Sequence, residues 1–183
     1  MTNDKYAKEI LITRSQIEDK CVELAKWVDH KYKGSRELIL IGLLKGCIPF
    51  MAELMKSIKV EHKLDFMTVS SFAGKMESNK QVKIIMDLKS NIANKDVLIV
   101  EDIVDSGRTL KKTIDILKKR DPKSLTVLTL LYKPEGQIVK FKVDKYGFKV
   151  PNKFVYGFGL DVKEKLRNAP YIAVFDKKYF DKL

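Results

Sequence analysis

The sequence predicts an α/β fold, with a central, mainly parallel sheet flanked by helices and a small accessory region beside it. Aliphatic runs of strand length alternate with segments of helical periodicity, the order that builds a parallel sheet from βαβ units. One strand-to-helix turn gathers acidic, hydroxyl and glycine residues at the kind of junction where such sheets bind ligands. The last third changes character: its strands are short and aromatic-rich, separated by turns containing Gly147, Pro151 and Pro170.

Taken in order, Ser15-Gln-Ile-Glu18 reads as a capping box, and Ile17, Cys21, Leu24, Ala25 and Val28 follow at the spacing of one buried helix face. Gly34 is the expected stop. Glu37 to Leu44 is a nearly continuous aliphatic strand, Lys45-Gly46 a turn, and Pro49 the opening of a helix that reaches about Ile58. Leu64 to Ser71 and Val82 to Met86 read as strands, with Phe72 to Gln81 as a long polar loop between them that is expected to be mobile. Val97 to Val100 is a buried strand, Leu110, Ile114 and Leu117 mark the inward face of a helix, and Leu125 to Leu131 is the next strand. Phe141 to Val143, Lys153 to Phe158 and Tyr171 to Phe175 are the short strands of the accessory region.

Composition removes several function classes. A chain of 183 residues suits one domain with one core, and 45% hydrophobic with 33% charged residues fits a globular protein rather than a collagen-like or disordered one. The net charge of +12 attracts polyanions of every kind. Its densest group, Lys111, Lys112, Lys118, Lys119 and Arg120, falls within one amphipathic helix, so it reads as a solvated face and not as a nucleic-acid site. Cys21 and Cys47 form no CxxC or zinc-ligand pattern, which fits a reducing cytoplasm. The start, MTNDKYAKEI, is too polar for a signal-peptide core, and Lys45, Pro49 and Glu53 interrupt the longest apolar stretch, so no membrane span is expected.

The segment VLIVEDIVDSGRT, Val97 to Thr109, carries the chemistry. Ser106, Gly107 and Thr109 offer hydroxyls and open backbone N–H groups where the helix dipole is positive, a cradle for a phosphate monoester. Glu101 and Asp102 repel phosphate but can accept hydrogen bonds from sugar hydroxyls or hold Mg²⁺. Together they suit a ribose 5-phosphate. Neither GxxxxGK[ST] nor a GxGxxG after a strand occurs, which removes the two commonest nucleotide loops.

This segment resembles the diphosphate-sugar motif of type I phosphoribosyltransferases. Leu44-Lys45-Gly46, Ser70-Ser71-Phe72, Leu130 to Lys133, Lys153-Phe154-Val155 and Asp161 through Arg167 stand in the order and spacing of the hypoxanthine-guanine branch, and the likeness runs from about Glu9 to Phe175. The resemblance implies one type I phosphoribosyltransferase domain over 1–183, its hood built mainly from the N-terminal segment and about 140–183. It also implies Mg²⁺, the substrates 5-phosphoribosyl 1-diphosphate and a 6-oxopurine base, and a homodimer or homotetramer.

Residue by residue, it implies that Lys45 and Gly46 form the diphosphate loop, often with an unusual cis peptide, and that Arg167 contacts the same group as a forked donor. Glu101 and Asp102 would serve ribose hydroxyls and metal, with Asp161 helping to hold a second Mg²⁺. Asp105, Ser106, Gly107, Arg108 and Thr109 would wrap the 5-phosphate, Asp105 also acting as the catalytic group at the purine N7. Lys133 would donate to the 6-oxo oxygen, Phe154 would stack on the base, the Val155 backbone would read its edge, and Ser71-Phe72 would form the tip of the mobile loop. Phe72 stands where a tyrosine is common, and Tyr156, Val162 and Leu166 also depart from the usual pattern. A phosphoribosyltransferase for adenine, orotate or uracil is the nearest rival; a non-catalytic, nucleic-acid-binding regulator would need a concentrated basic face or an added module, and no spare segment is found for the latter.

Overall fold

Residues 4–71 and 82–183 are described in a computed structural model of the chain. Strand β1 (Ala7–Ile12), helix α1 (Arg14–Lys31), strand β2 (Leu38–Leu43), helix α2 (Cys47–Met55), and strands β3 (His62–Ser71) and β4 (Val82–Met86) form the first half. Strand β5 (Asp96–Val104), helix α3 (Arg108–Lys118), and strands β6 (Ser124–Tyr132), β7 (Lys145–Lys149), β8 (Val155–Tyr156) and β9 (Ile172–Phe175) follow, with 3₁₀ turns at Pro134–Gly136 and Lys177–Lys182. Six strands pair in the order β4-β3-β2-β5-β6-β7, all parallel except the β3–β4 pair. A separate antiparallel sheet, β1-β9-β8, makes the hood.

Every residue of β2 is buried, as is the first part of β5, because helices cover both faces of the sheet. The period-2 alternation of strands sorts their side chains. Leu38, Leu40, Leu98 and Val100 pack with Ile17 and Leu24 of α1 and Phe50 and Leu54 of α2. Ile39, Ile41, Val97 and Ile99 pack on the other face with Leu110, Ile114 and Leu117 of α3. Each such side chain removed from water contributes about 1.5–3 kcal/mol. Ile12, Val155, Ile172 and Val174 of the hood share the first of these clusters, so one core joins both sheets.

Several elements differ from the sequence expectation. The capping box of α1 is Thr13 with Gln16, not Ser15 with Glu18: Thr13 Oγ1 accepts from Gln16 N at 3.3 Å, and Gln16 Oε1 accepts from Thr13 N at 2.8 Å. Helix α2 starts two residues before Pro49 and stops at Met55 instead of Ile58. Strand β5 runs on past Val100, so Glu101 and Asp102 lie inside it. No strand forms at residues 141–143. Asp144 instead exchanges bonds with Val127 (Asp144 N to Val127 O, 3.0 Å; Val127 N to Asp144 Oδ2, 2.9 Å), which sets the register so that β7 begins at Lys145. Strand β7 belongs to the main sheet, which moves residues 145–149, Gly147 among them, out of the expected hood. Of Lys153 to Phe158 only Val155–Tyr156 is strand, and β1 was not anticipated at all.

Leu98 sits at the centre of this arrangement and is fully buried. Leu98→Ala is expected to cost about 2–5 kcal/mol of unfolding free energy, read from the midpoint of urea denaturation.

Candidate active site

Strands β2, β5 and β6 end along one edge of the sheet, and the strand order reverses between β2 and β5. Such a reversal opens a crevice at the carboxyl ends of the strands. Lys45 and Gly46 lie directly after β2, and the Leu44–Lys45 peptide is cis, as the resemblance implies. A Cβ on Gly46 would come 1.7 Å from Asp102 Oδ2, so only glycine lets this loop lie against the end of β5.

The acidic pair inside β5 is held in an environment that disfavours its charge. Burial pushes the Glu101 carboxyl well above its ordinary range, and the neighbouring charge of Asp102 pushes the same way. Burial also raises Asp102 to about 6, against the opposing hydrogen bond from Ile103 N at 2.7 Å and the charge of Arg167. Two desolvated carboxylates suit a cation or hydroxyl donors supplied by a ligand. Among the described residues no three acidic, His or Cys side chains converge as a ready-made metal centre. Mg²⁺ is commonly held by one or two carboxylates together with waters and substrate oxygens, and Glu101 and Asp102 could hold it in that way.

The turn after β5 is pinned from one side. Ser106 O accepts from Ile138 N (3.1 Å) and Val139 N (3.2 Å), and a Cβ on Gly107, at φ 74°, would meet the ring of Phe141 at 2.5 Å. Gly107 caps α3 without any side-chain hydrogen bond. The first N–H groups of a helix have no partner within it, so those from Arg108 and Thr109 onward are available to an anion.

Across the crevice, Lys133 follows β6 and is buried, its Nζ 3.0 Å from Asp105 Oδ2. A buried ammonium needs such a partner. Gly136 makes room for the pair: a Cβ there would lie 2.3 Å from Asp105 Oδ1. Asp105 and Lys133 stand 28 residues apart, and their spacing along the chain carries no sign that they are bonded.

The hood supplies the rest. Arg167 Nη2 lies 2.9 Å from Asp161 Oδ1 and 3.1 Å from Glu164 Oε1, while its Nη1 donates to Gly159 O at 2.7 Å. Lys45 Nζ lies 2.6 Å from Glu164 Oε2. Glu164 was not singled out from the sequence, where it is one acidic residue in a charged run. Val155 is buried in the core. Phe154 is 43% exposed, with its ring edge-on to Phe175 at 5.9 Å. Ser71 ends β3; Phe72 and the expected loop to Gln81 lie outside the described residues. No helix among the described residues is long and apolar enough to cross a membrane.

The raised carboxyl of Asp102 makes stability depend on pH. With its folded pKa near 6 and its unfolded one near 3.8, the cost of the buried charge is absent below about pH 4 and complete above about pH 6. Asp102→Asn is therefore expected to raise the melting temperature of the ligand-free, metal-free protein at pH 8, and the gain should shrink as pH falls through 6 toward 4. Calorimetry across this range reads it.

Comparison with known proteins agrees with this geometry. The phosphoribosyl transferase domain family matches residues 9–163. The hypoxanthine-guanine phosphoribosyltransferase of Lactococcus lactis is 44% identical over 98% of this chain and 97% of its own length. The hypoxanthine phosphoribosyltransferase of Escherichia coli K12 is 44% identical over 92% of this chain and 96% of its own. A crystal structure of the Staphylococcus aureus hypoxanthine phosphoribosyltransferase superposes with a TM-score of 0.92 at 40% identity, covering 98% of this chain and 99% of that one. With its strand-end crevice, its VLIVEDIVDSGRT turn and full-length relatives of one kind, the chain belongs to the hypoxanthine-guanine branch of the phosphoribosyltransferase family.

Proposed function

We propose that the chain transfers the 5-phosphoribosyl group of 5-phosphoribosyl 1-diphosphate to N9 of hypoxanthine or guanine, giving IMP or GMP and diphosphate, as a step of purine salvage. The observation that carries this reading is the 3.0 Å pairing of Lys133 Nζ with Asp105 Oδ2 at the strand ends. It sets a donor beside an acceptor. A 6-oxopurine presents the complementary pair on one edge, the acceptor O6 next to N7, which carries a proton in the nucleophilic tautomer. Adenine would turn an amino group toward the Lys133 ammonium, donor against donor, and form no hydrogen bond with it. The whole chain, 1–183, is read as one unit of this activity.

The reaction displaces diphosphate from the anomeric carbon with oxocarbenium character. The amides at the start of α3, with Ser106, Gly107, Arg108 and Thr109, bind the 5-phosphate and fix the sugar. Glu101 and Asp102 accept from its hydroxyls. Phe154, 43% exposed, stacks on the base, and the Val155 backbone reads the base edge. Asp105 takes the proton from N7 as N9 attacks, and Lys133 holds O6 while that charge moves. Lys45, the Gly46 backbone and Arg167 stabilise the departing diphosphate. Glu101 and Asp102, with Asp161 for a second ion, would hold Mg²⁺, which would supply positive charge to the leaving group when bound. Family resemblance supports a cytoplasmic homodimer or homotetramer with no nucleic-acid or membrane partner.

Purified protein incubated with the sugar diphosphate, Mg²⁺ and one base at a time is expected to form nucleotide from hypoxanthine or guanine and not from adenine, followed by absorbance. No turnover with any 6-oxopurine would sink the reading. Asp105→Asn should lower kcat by about 10²–10⁴-fold, the usual worth of a general base, with IMP binding largely kept. Loss of binding alone would make Asp105 a structural group.

A further inference from the structure

Between β8 and β9 the chain makes a tight turn that delivers a carboxylate to two cations. Val162 and Lys165 each donate their N–H to the other's carbonyl at 3.0 Å, and the two residues between them, Lys163 and Glu164, have φ of 50° and 65°. Turns with two positive-φ residues select Asn and Gly, because other side chains are strained there. A Lys-Glu pair in this conformation persists where its surroundings over-determine it. Here Asp161 Oδ2 accepts from Glu164 N at 2.8 Å, and the Glu164 carboxylate bridges Lys45 Nζ (2.6 Å) and Arg167 Nη2 (3.1 Å).

Lys45 lies 119 residues earlier in the chain, so this contact joins the hood to the loop after β2. The backbones meet at the same place: a Cβ on Gly159 would lie 2.0 Å from Gly46 O. The guanidinium is not saturated by the bridge. Arg167 Nε is buried with no acceptor among the described residues.

We propose that Glu164 is a resident stand-in for the diphosphate, a carboxylate that occupies Lys45 and Arg167 until the sugar diphosphate arrives and that this polyanion displaces. The inference rests on the assignment of both cations to the diphosphate. Lys45 and Glu164 are each 64% exposed at the side chain, so the bridge is weak enough to yield. A diphosphate, with several charged oxygens to share between one ammonium and one forked guanidinium, outcompetes one carboxylate. A single phosphate gains less and is disfavoured by the same competition, so Glu164 acts as a specificity-determining residue for the leaving group.

The test compares wild type, Glu164→Gln and Lys45→Met at saturating hypoxanthine. In Glu164→Gln, the KM for the sugar diphosphate and the inhibition constant of inorganic diphosphate should both fall about three- to tenfold, the range that two weak, solvent-accessible ion pairs of one surface carboxylate supply. The KM for hypoxanthine should stay put. Glu164→Ala, measured the same way, separates loss of charge from any hydrogen bond the glutamine keeps. Constants that do not change, or that rise in both Glu164 variants, overturn the inference, a rise meaning that Glu164 positions the cations instead of competing for them. Lys45→Met should raise the KM for the sugar diphosphate. If wild type turns over and Lys45→Met leaves that KM unchanged, the diphosphate assignment itself fails and takes the inference with it.

Discussion

The carboxylate of Asp102 lies where a side chain on residue 46 would have to be, and the rest of the crevice is arranged around that close approach. Because Gly46 has no Cβ, the loop after β2 can rest on the end of β5, which keeps two acidic residues inside a strand that is otherwise aliphatic. The cost is electrostatic: burial raises both carboxyls, and among the described residues neither forms an ion pair, the charge of Arg167 only partly offsetting the shift of Asp102. A site that holds unfavourable charge ready for a ligand turns ligand binding into relief of that charge. In the proposed reaction the relief comes from sugar hydroxyls and Mg²⁺.

Division of labour follows from the topology. Parallel strands bring β2, β5 and β6 to one edge, so the loop with Lys45, the turn with Asp105 and the buried Lys133 face one another despite wide separation in sequence. The hood, sharing its core with the sheet, adds Asp161 and Arg167 from above the same edge. Outside the acidic pair of β5, the charged groups have partners: Lys133 with Asp105, Lys45 with Glu164, and Arg167 with Asp161 and Glu164. In the proposed reaction each of these internal contacts is exchanged for one to substrate.

The central sheet and the phosphate turn were legible because their signals are local. The aliphatic runs at β2 and β5 state their own burial, and VLIVEDIVDSGRT is a strand, a turn and a helix start in one string. Where the reading slipped, two local signals competed or the deciding contact was distant. Thr13 and Ser15 both begin a capping-box pattern two residues apart, and the one that wins is the one where the chain leaves β1. Phe141 to Val143 looks strand-like, but Phe141 is used to cover Gly107, and the register of β7 is set by Asp144 against Val127. Strand β1 exists through pairing with β9 at the far end of the chain, which AKEILI alone does not announce. The Lys133–Asp105 and Lys45–Glu164 contacts are of the same kind, products of topology that no spacing along the chain records.

A crystal structure of the protein with IMP bound tests the central claim most directly. The account predicts the 5′-phosphate on the backbone amides of residues 106–109, the purine O6 within hydrogen-bond distance of Lys133 Nζ, and N7 facing Asp105. A nucleotide whose phosphate lies away from the start of α3, or whose base turns its 6-oxo edge away from Lys133, would contradict it.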